Sequence, residues 1–403
     1  MSLTLSKVCR AVSPSPTLSI DARAKEMKAQ GVDVVGFGAG EPDFDTPEYI
    51  RDAAKYALDH GYTRYTPAAG MMELRKAICK KLLRDNGLRY EPAQVIVGNG
   101  AKHSLFSTFT ALLNPGDEVI IPAPYWVSYP ELVRMAGGVP VFVPARPEHA
   151  FVFTAEDIAP YVTERTKALV LNSPGNPSGA VLDEEALRGI ARLAVERQFY
   201  VISDEIYEKL IYDGQRHVSI ASLGEDIFAQ TIVINGMSKA YAMTGWRIGY
   251  AAGPAEVIRA MANYQSHATS NPNAVAQFAS VAALEGGEDG QELMDAMVRE
   301  FDARRKFIVH AIRSVDGLDC PTPQGAFYVM MDVRALLGRR YRGQRIEGSM
   351  DFAEMLLDAQ KVAVVPGAPF GAEGYCRLSY ATSLSNIERG ISRIAAFTRM
   401  LMD

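Results

Sequence analysis

The residues with the clearest chemical capacity stand close together: Ser238, Lys239 and Arg247. Lys239 offers an amine, Ser238 a hydroxyl donor, and Arg247 a planar cation suited to phosphate. A lone loop lysine would read as a solvated charge. A phosphate site beside an amine that can form a Schiff base points instead to pyridoxal phosphate. The residues before them, 232–234, are Ile-Val-Ile, the apolar β-branched pattern of a buried strand, and Asn235-Gly236 breaks it. Lys239 therefore falls just past the carboxyl end of a core strand, where open α/β sheets place their ligands.

Two more strand patterns end the same way. Residues 167–171 run into Asn172-Ser-Pro-Gly-Asn-Pro-Ser-Gly179, which turn residues largely explain but which leaves Asn176 as a donor. Residues 199–203 end at Asp204-Glu205-Ile206-Tyr207. Three apolar runs ending at Asn176, Asp204 and Lys239, separated by helical stretches, predict a mostly parallel sheet lining a site. A fourth strand, 94–97, meets Gly98-Asn-Gly-Ala-Lys-His-Ser104. Such a glycine-rich entry to a helix leaves free N–H groups for an anion, and reads equally well as an ordinary tight junction. Trp126 follows a strand at 118–121, as plain core or as a platform for a flat ring. Arg377 lies inside a strand pattern, 375–379, and needs either a cross-strand acid or an anionic ligand.

The elements around these residues read in order. An extended arm rich in Ser, Thr and Pro covers residues 1–20, with a short helix over 20–30. A strand over 32–37 leads into Gly36-Phe-Gly-Ala-Gly-Glu-Pro-Asp43. Glu41-Pro42 interrupts where a dinucleotide-binding helix would begin, so these glycines read as a tight turn or a close approach to a small ligand. Thr46 should cap a helix with Pro47 in its first turn, burying Ile50, Ala53, Ala57 and Leu58. Residues 62–70, with two tyrosines, form a loop. A second amphipathic helix covers 71–86, with Leu74, Ile78 and Leu82 inside, and a third covers 184–198. A long helix, 289–314, leads out of the large unit. Strands at 325–332, 362–365 and 375–379 build a smaller α/β unit, and 337–347 is a charged surface loop.

Bulk properties exclude several classes. The 403 residues suffice for a large and a small domain, and 48% hydrophobic with 22% charged content is ordinary for a soluble protein. A net charge of -5 argues against a general nucleic-acid binder. The four cysteines, Cys9, Cys79, Cys320 and Cys376, are scattered and the six histidines do not cluster. Neither a disulfide framework nor a metal site is expected, and a reducing cytoplasm fits. No signal peptide is evident at residues 1–10, and no run approaches the roughly 20 apolar residues of a membrane span.

Taken together, these stretches resemble the fold-type I, class I aminotransferases, over about residues 14–382. The most specific pieces are Asn172 to Gly179, Ser203 to Tyr207, Ser238-Lys239 with Gly245-Trp246-Arg247, and Tyr375 to Ser379. The resemblance implies an aspartate aminotransferase-like fold: an arm within residues 1–46 joined to the small domain, a large cofactor domain with a seven-stranded sheet over 47–290, and a small domain over 291–403. It implies that Lys239 carries pyridoxal phosphate as a Schiff base and moves the proton. Asp204 would hold the ring nitrogen, and a cation there would lower its own pKa. Tyr207 and Asn176 would donate to the ring hydroxyl oxygen, Trp126 would stack, and Gly100, Ala101, Ser238 and Arg247 would form the phosphate cup. Tyr65 would reach the neighbouring subunit's phosphate in a homodimer. Arg377 would grip the substrate α-carboxylate, with a backbone contact from Gly40.

The opening Gly40-Glu-Pro-Asp-Phe-Asp-Thr-Pro47 is similar to the bacterial aspartate aminotransferases, some of which take prephenate or aromatic amino acids. There Lys102 would read a distal carboxylate. Gly175 and Ser178 depart from the usual Asn and Thr, and Ser13 stands where prephenate-accepting members tend to carry a basic residue. The implied activity is ping-pong transfer of an amino group from aspartate to 2-oxoglutarate. The alternatives are an aromatic or prephenate aminotransferase, a β-lyase on the same cofactor, or a cofactor-binding regulatory domain.

Overall fold

The computed structural model describes residues 4–12 and 16–402. Ser13 and Pro14 of the expected arm lie outside the described residues. In place of a wholly extended arm, helices cover Lys7–Ala11 and Pro16–Ala29.

The strands, in chain order, are β1 (Val35–Gly36), β2 (Val95–Gly98), β3 (Glu118–Pro122), β4 (Val139–Val143), β5 (Thr166–Asn172), β6 (Tyr200–Asp204), β7 (Thr231–Gly236), β8 (Gly249–Ala252) and β9 (Tyr328–Asp332). They continue with β10 (Arg340–Tyr341), β11 (Gln344–Arg345), β12 (Val362–Ala363), β13 (Val365–Pro366) and β14 (Tyr375–Ser379). A seven-stranded sheet has the order β2-β8-β7-β6-β5-β3-β4. The pairs from β7 through β6, β5 and β3 to β4 are parallel, while β8 runs antiparallel to both β2 and β7. The expected mostly parallel seven-stranded sheet is therefore present.

Its central strands are apolar on both faces because helices cover both. Ile232 and Ile234 of β7 pack with Val119, Leu105 and Met261 on one side, and Val233 packs with Ile78 and Leu82 on the other. All three β7 residues have no exposed surface, and each such burial contributes about 1.5–3 kcal/mol. β4 carries Pro140 and lies at the sheet edge, where a residue without an N–H costs no ladder bond.

The remaining strands form smaller sheets. β13, β14 and β9 make an antiparallel three-stranded sheet, β1 pairs in parallel with β12, and β10 with β11 forms a hairpin within the expected surface loop. The N-terminal segment is thus joined to the C-terminal third. The single strand expected at 362–365 is two short ones serving different sheets.

Two local expectations are corrected. Thr46 does not cap the helix Glu48–Asp59, whose N-cap is Pro47. Its hydroxyl instead donates to the Ala242 carbonyl (2.7 Å) and accepts from Trp246 Nε1 (3.0 Å), tying this segment to the loop after Lys239. The helix buries Ile50, Ala54 and Ala57, leaving Leu58 57% exposed, so its inner face is turned from the expected one. The second helix, Met72–Asn86, buries Leu74, Ile78 and Leu82 as expected. Among the described residues no helix is long and apolar enough to cross a membrane.

Candidate active site

The parallel strands deliver their carboxyl ends to one cavity of about 550 Å³. β2 leads through Gly98 to Gly100 and the helix Ala101–Leu112, β3 to Trp126 and Tyr129, β5 to Asn172 and Asn176, β6 to Asp204 and Tyr207, and β7 to Ser238 and Lys239. Arg377 enters from β14 and Gly38, Gly40 and Glu41 from the loop after β1. Of the residues singled out in the sequence, Gly40, Ala101, Lys102, Trp126, Asn176, Asp204, Tyr207, Ser238, Lys239, Arg247 and Arg377 all line this cavity. Gly100 supports it from behind. Tyr65 does not line it and is 91% exposed.

Arg247 reaches the cavity because β8 reverses direction. The chain leaves β7 and returns to β8 at the same edge, with Gly236 opposite Gly249 and Met237 N–H donating to the Ile248 carbonyl (3.1 Å). Arg247 itself has φ +57. Its guanidinium donates to the carbonyls of Thr244 (2.8 Å) and Asn99 (3.4 Å). Gly100 has φ +86, and a Cβ there would run into that guanidinium. A Cβ on Gly249 would collide with the peptide joining Gly100 to Ala101. Both glycines thus let the helix start abut β8 and Arg247. The first-turn N–H groups of Ala101 and Lys102 have no intrahelical acceptor, so cation, helix terminus and Ser238 hydroxyl form an anion cradle.

Lys239 Nζ donates to the Gly40 carbonyl, and it lies 5.8 Å from the Tyr207 ring centre. Burial lowers its pKa to about 8, with Arg377 and Arg247 adding to the effect and Glu41 opposing it. An amine that loses its proton so near neutrality is a competent nucleophile and base.

Asp204 is 3% exposed. Tyr129 OH donates to its Oδ2 (2.6 Å) and Ile206 N–H to its Oδ1 (3.3 Å). Burial nevertheless wins and raises the carboxyl to about 6. The lowering expected from the sequence belongs to Asp204 facing a cationic ring nitrogen, whereas the value of about 6 is that of the carboxyl among the chain's own groups. The Asp204 carboxylate has no salt-bridge partner among the described residues, and the favourable effect of Lys239 is small.

Arg377 is 6% exposed. It donates to Asn176 Oδ1 and to the Gly38 carbonyl, both at 3.0 Å, and lies 4.5 Å from the Tyr328 ring centre. Its Nε has no partner and no acid pairs with it among the described residues. The cross-strand neighbours are Val365 and Met330, so the ion-pair alternative falls. The Gly38 carbonyl thus accepts from Arg377 and the Gly40 carbonyl from Lys239. Tyr207 OH shares a 3.0 Å hydrogen bond with Tyr328 OH. Lys102 Nζ lies over the Trp126 ring, 4.7 Å from its centre. Burial and the nearby Arg247 both lower the Lys102 pKa.

Sequence reasoning missed Tyr129, Asn172, Tyr328, Glu41 and Thr244 as cavity residues. Tyr129 had a usable signal, standing three residues after Trp126 and so on the same face of a helical turn. Tyr328 and the Glu41–Thr244 contact (Thr244 Oγ1 donating, 2.7 Å) had none, because each depends on segments far apart in the chain.

Comparison with known proteins gives the family. The model for aminotransferase class I and II matches residues 32–394. An aspartate aminotransferase of Bacillus sp. (strain YM-2) is 49% identical over 390 residues, 97% of this chain and 98% of that protein. An aspartate/prephenate aminotransferase of Thermus thermophilus is 47% identical, covering 97% of this chain and 98% of its own length. A solved structure of Thermus thermophilus aspartate aminotransferase with maleate superposes with a TM-score of 0.92 at 47% identity, over 98% of this chain and all of that one. Fold, sequence and the cavity at the strand ends converge, and the chain belongs to the class I and II aminotransferase family.

Proposed function

We propose that the protein is a pyridoxal phosphate-dependent aminotransferase that takes the amino group of L-aspartate and passes it to 2-oxoglutarate in two half-reactions. The observation that carries this reading is the meeting of Lys239, Asp204 and Arg377 in one cavity, none of them in a salt bridge among the described residues. The residues fit the cofactor. A buried carboxylate raised to about 6 suits a cationic ring nitrogen. An amine at about 8 suits an aldehyde carbon. The cradle of Arg247, Ser238 and the Ala101 helix start suits a phosphate.

Pyridoxal phosphate, when bound, supplies an electron-accepting ring that weakens the bonds to the substrate α-carbon. The chain's own residues do the rest. Asp204 would hold the ring nitrogen protonated, and Tyr129 fixes the carboxylate for that role. Trp126 would stack on the ring, and Tyr207 and Asn176 would donate to its hydroxyl oxygen. Arg377 binds the substrate α-carboxylate through its fork of donors, so the α-hydrogen faces Lys239. Lys239 takes that proton and returns it one position away, a role worth roughly 10²–10⁴-fold.

Lys102 supports a dicarboxylate substrate. Its ammonium, held over Trp126, has no acid partner among the described residues. The solved relative with maleate holds a dicarboxylate by its title. Arg377→Ala should raise KM for every amino donor by about 100-fold, the worth of a charge-assisted pair of roughly 3 kcal/mol. Lys102→Ala should raise KM for aspartate and glutamate by about tenfold and leave phenylalanine unchanged. Equal losses on aspartate and phenylalanine would remove Lys102 as a reader of the distal carboxylate. The direct test of the whole reading is a half-reaction panel, in which each amino acid is mixed with cofactor-loaded protein and the change in bound-cofactor absorbance is followed by stopped flow. Aspartate and glutamate should react fastest. A prephenate activity is the second reading, favoured by the name of the Thermus thermophilus relative.

The same reading includes a homodimer. Tyr56, Leu58, Tyr62 and Tyr65 are 49%, 57%, 45% and 91% exposed, an apolar surface suited to a second copy of the chain. Tyr65 would then serve the partner's phosphate cradle.

A further inference from the structure

Behind the turn that carries Asp204 and Tyr207 lies a buried set of charges that the proposed reaction does not use. Glu205 is 1% exposed and does not line the cavity. Its Oε1 accepts from Ser203 Oγ (3.0 Å) and Ser219 Oγ (2.6 Å), and its backbone N–H donates to the Ile234 carbonyl (2.9 Å). Its Oε2 stands 3.0 Å from His217 Nε2, an ion-pair contact rather than a hydrogen bond, since neither atom has a hydrogen-bond partner among the described residues, and the His217 side chain is 8% exposed. One turn on, Glu208 accepts from Lys81 and from Asn86 Nδ2 (2.8 Å).

Glu205, Glu208 and His217 present ligand atoms within 4.8 Å of one another, a spacing a metal ion could use. Lys81 already places an ammonium against Glu208, however. The group reads instead as a balance: two carboxylates against Lys81 and His217.

We propose that His217 is a positioning residue for Asp204: as a cation against Glu205, it cancels the carboxylate next in the chain to Asp204, so that the bound cofactor meets the charge of Asp204 alone. The inference rests on the cofactor reading above. Three observations support it. Glu205 is fixed from both main chain and side chain, so its charge cannot swing away. The imidazole is held above its usual pKa by Glu205 and Glu208, against the burial that would lower it. Glu205 in turn pushes the Asp204 carboxyl upward. The other groups facing the pair do not offset it. Tyr90 and Tyr250 face Glu205 as phenols whose pKa burial raises far above 10, so they stay neutral. Lys81 is matched to Glu208, and Lys209 to Asp85 (2.8 Å) beyond it.

The test uses protein loaded with pyridoxal phosphate and reads the pH at which the bound cofactor's absorbance changes. In His217→Gln the bare Glu205 anion should stabilise the protonated chromophore and move that midpoint up by about one pH unit, the order of one uncancelled charge in a partly buried site. Adding Glu205→Gln should return the midpoint to the wild-type value. The double variant should also unfold at a higher temperature than His217→Gln, because it buries no unpaired anion. That comparison keeps the inference testable where the single variant is too unstable to titrate. A wild-type midpoint in His217→Gln, or a double variant that restores neither midpoint nor stability, overturns the inference and leaves the cofactor reading intact. If the wild-type protein takes up no pyridoxal phosphate, both fall.

Discussion

Lys239→Ala should lower turnover by about 10⁴-fold, the upper end of what a positioned proton carrier provides. Among the described residues Lys102 is the other amine lining the cavity, and it does not take the place of Lys239. Lys102 lies over Trp126, and Arg377 and Arg247 cannot act as bases at working pH. The loss should fall in kcat, because Arg377, Arg247 and Trp126 still bind. A chemical readout separates the two roles of the lysine. Borohydride treatment should fix pyridoxal phosphate onto the Lys239 peptide of the wild-type chain, read by mass spectrometry, and onto no peptide of the variant. Turnover within tenfold of wild type would dismiss Lys239 as the proton carrier. The buried amine also predicts a pH signature. Its pKa of about 8 means that the neutral fraction, and with it the rate of cofactor uptake, rises about tenfold per pH unit below 8 and levels off above it.

Asp204→Asn should produce opposite effects on activity and stability. An amide cannot keep the ring nitrogen protonated, so turnover should fall by about 10³-fold or more. Yet the cofactor-free protein should become more stable at neutral pH. The carboxyl has an ordinary value of 3.8 and stands at about 6 when folded. The folded state therefore holds the proton more tightly than the unfolded state. Stability is lost as pH rises from 3.8 to 6, and the full penalty persists above 6. A difference of roughly two pH units corresponds to about 3 kcal/mol. Removing it should raise Tm at pH 8 by about 3–4 °C for a chain of this size, while at pH 4 the two proteins should melt together. Scanning calorimetry at both pH values checks this. A variant less stable than wild type at pH 8 would mean that Tyr129 and Ile206 more than offset the burial of the charge.

The site was largely legible in the sequence because parallel sheets put chemistry at strand ends. β5, β6 and β7 are apolar runs on both faces, and each stops at a polar residue, so Asn176, Asp204 and Lys239 could be placed without coordinates. What stayed hidden was long-range. Thr46 has the composition of a helix cap, but Ala242 and Trp246, about 200 residues away, take its hydroxyl. Leu58 fits the apolar stripe of its helix, but Ala54 faces inward in its place. Tyr129 drew no reading of its own, and its hydroxyl lies 2.6 Å from an Asp204 oxygen that comes 75 residues later. β4 carries a proline that weakens its strand pattern, and only its edge position makes that harmless.

The antiparallel β8 has one more consequence. Because the chain departs from β7 and re-enters the sheet at the same rim, Lys239 and Arg247 belong to a single closed excursion, pinned at its base by the contact from Met237 to Ile248. That excursion works as a caliper whose two jaws are an amine and a guanidinium. Its opening depends on the number of residues between them, not on the packing of the sheet. Adding or deleting one residue between 240 and 246 would leave the sheet intact and mis-space the jaws, so the reach from aldehyde carbon to phosphate is written into loop length.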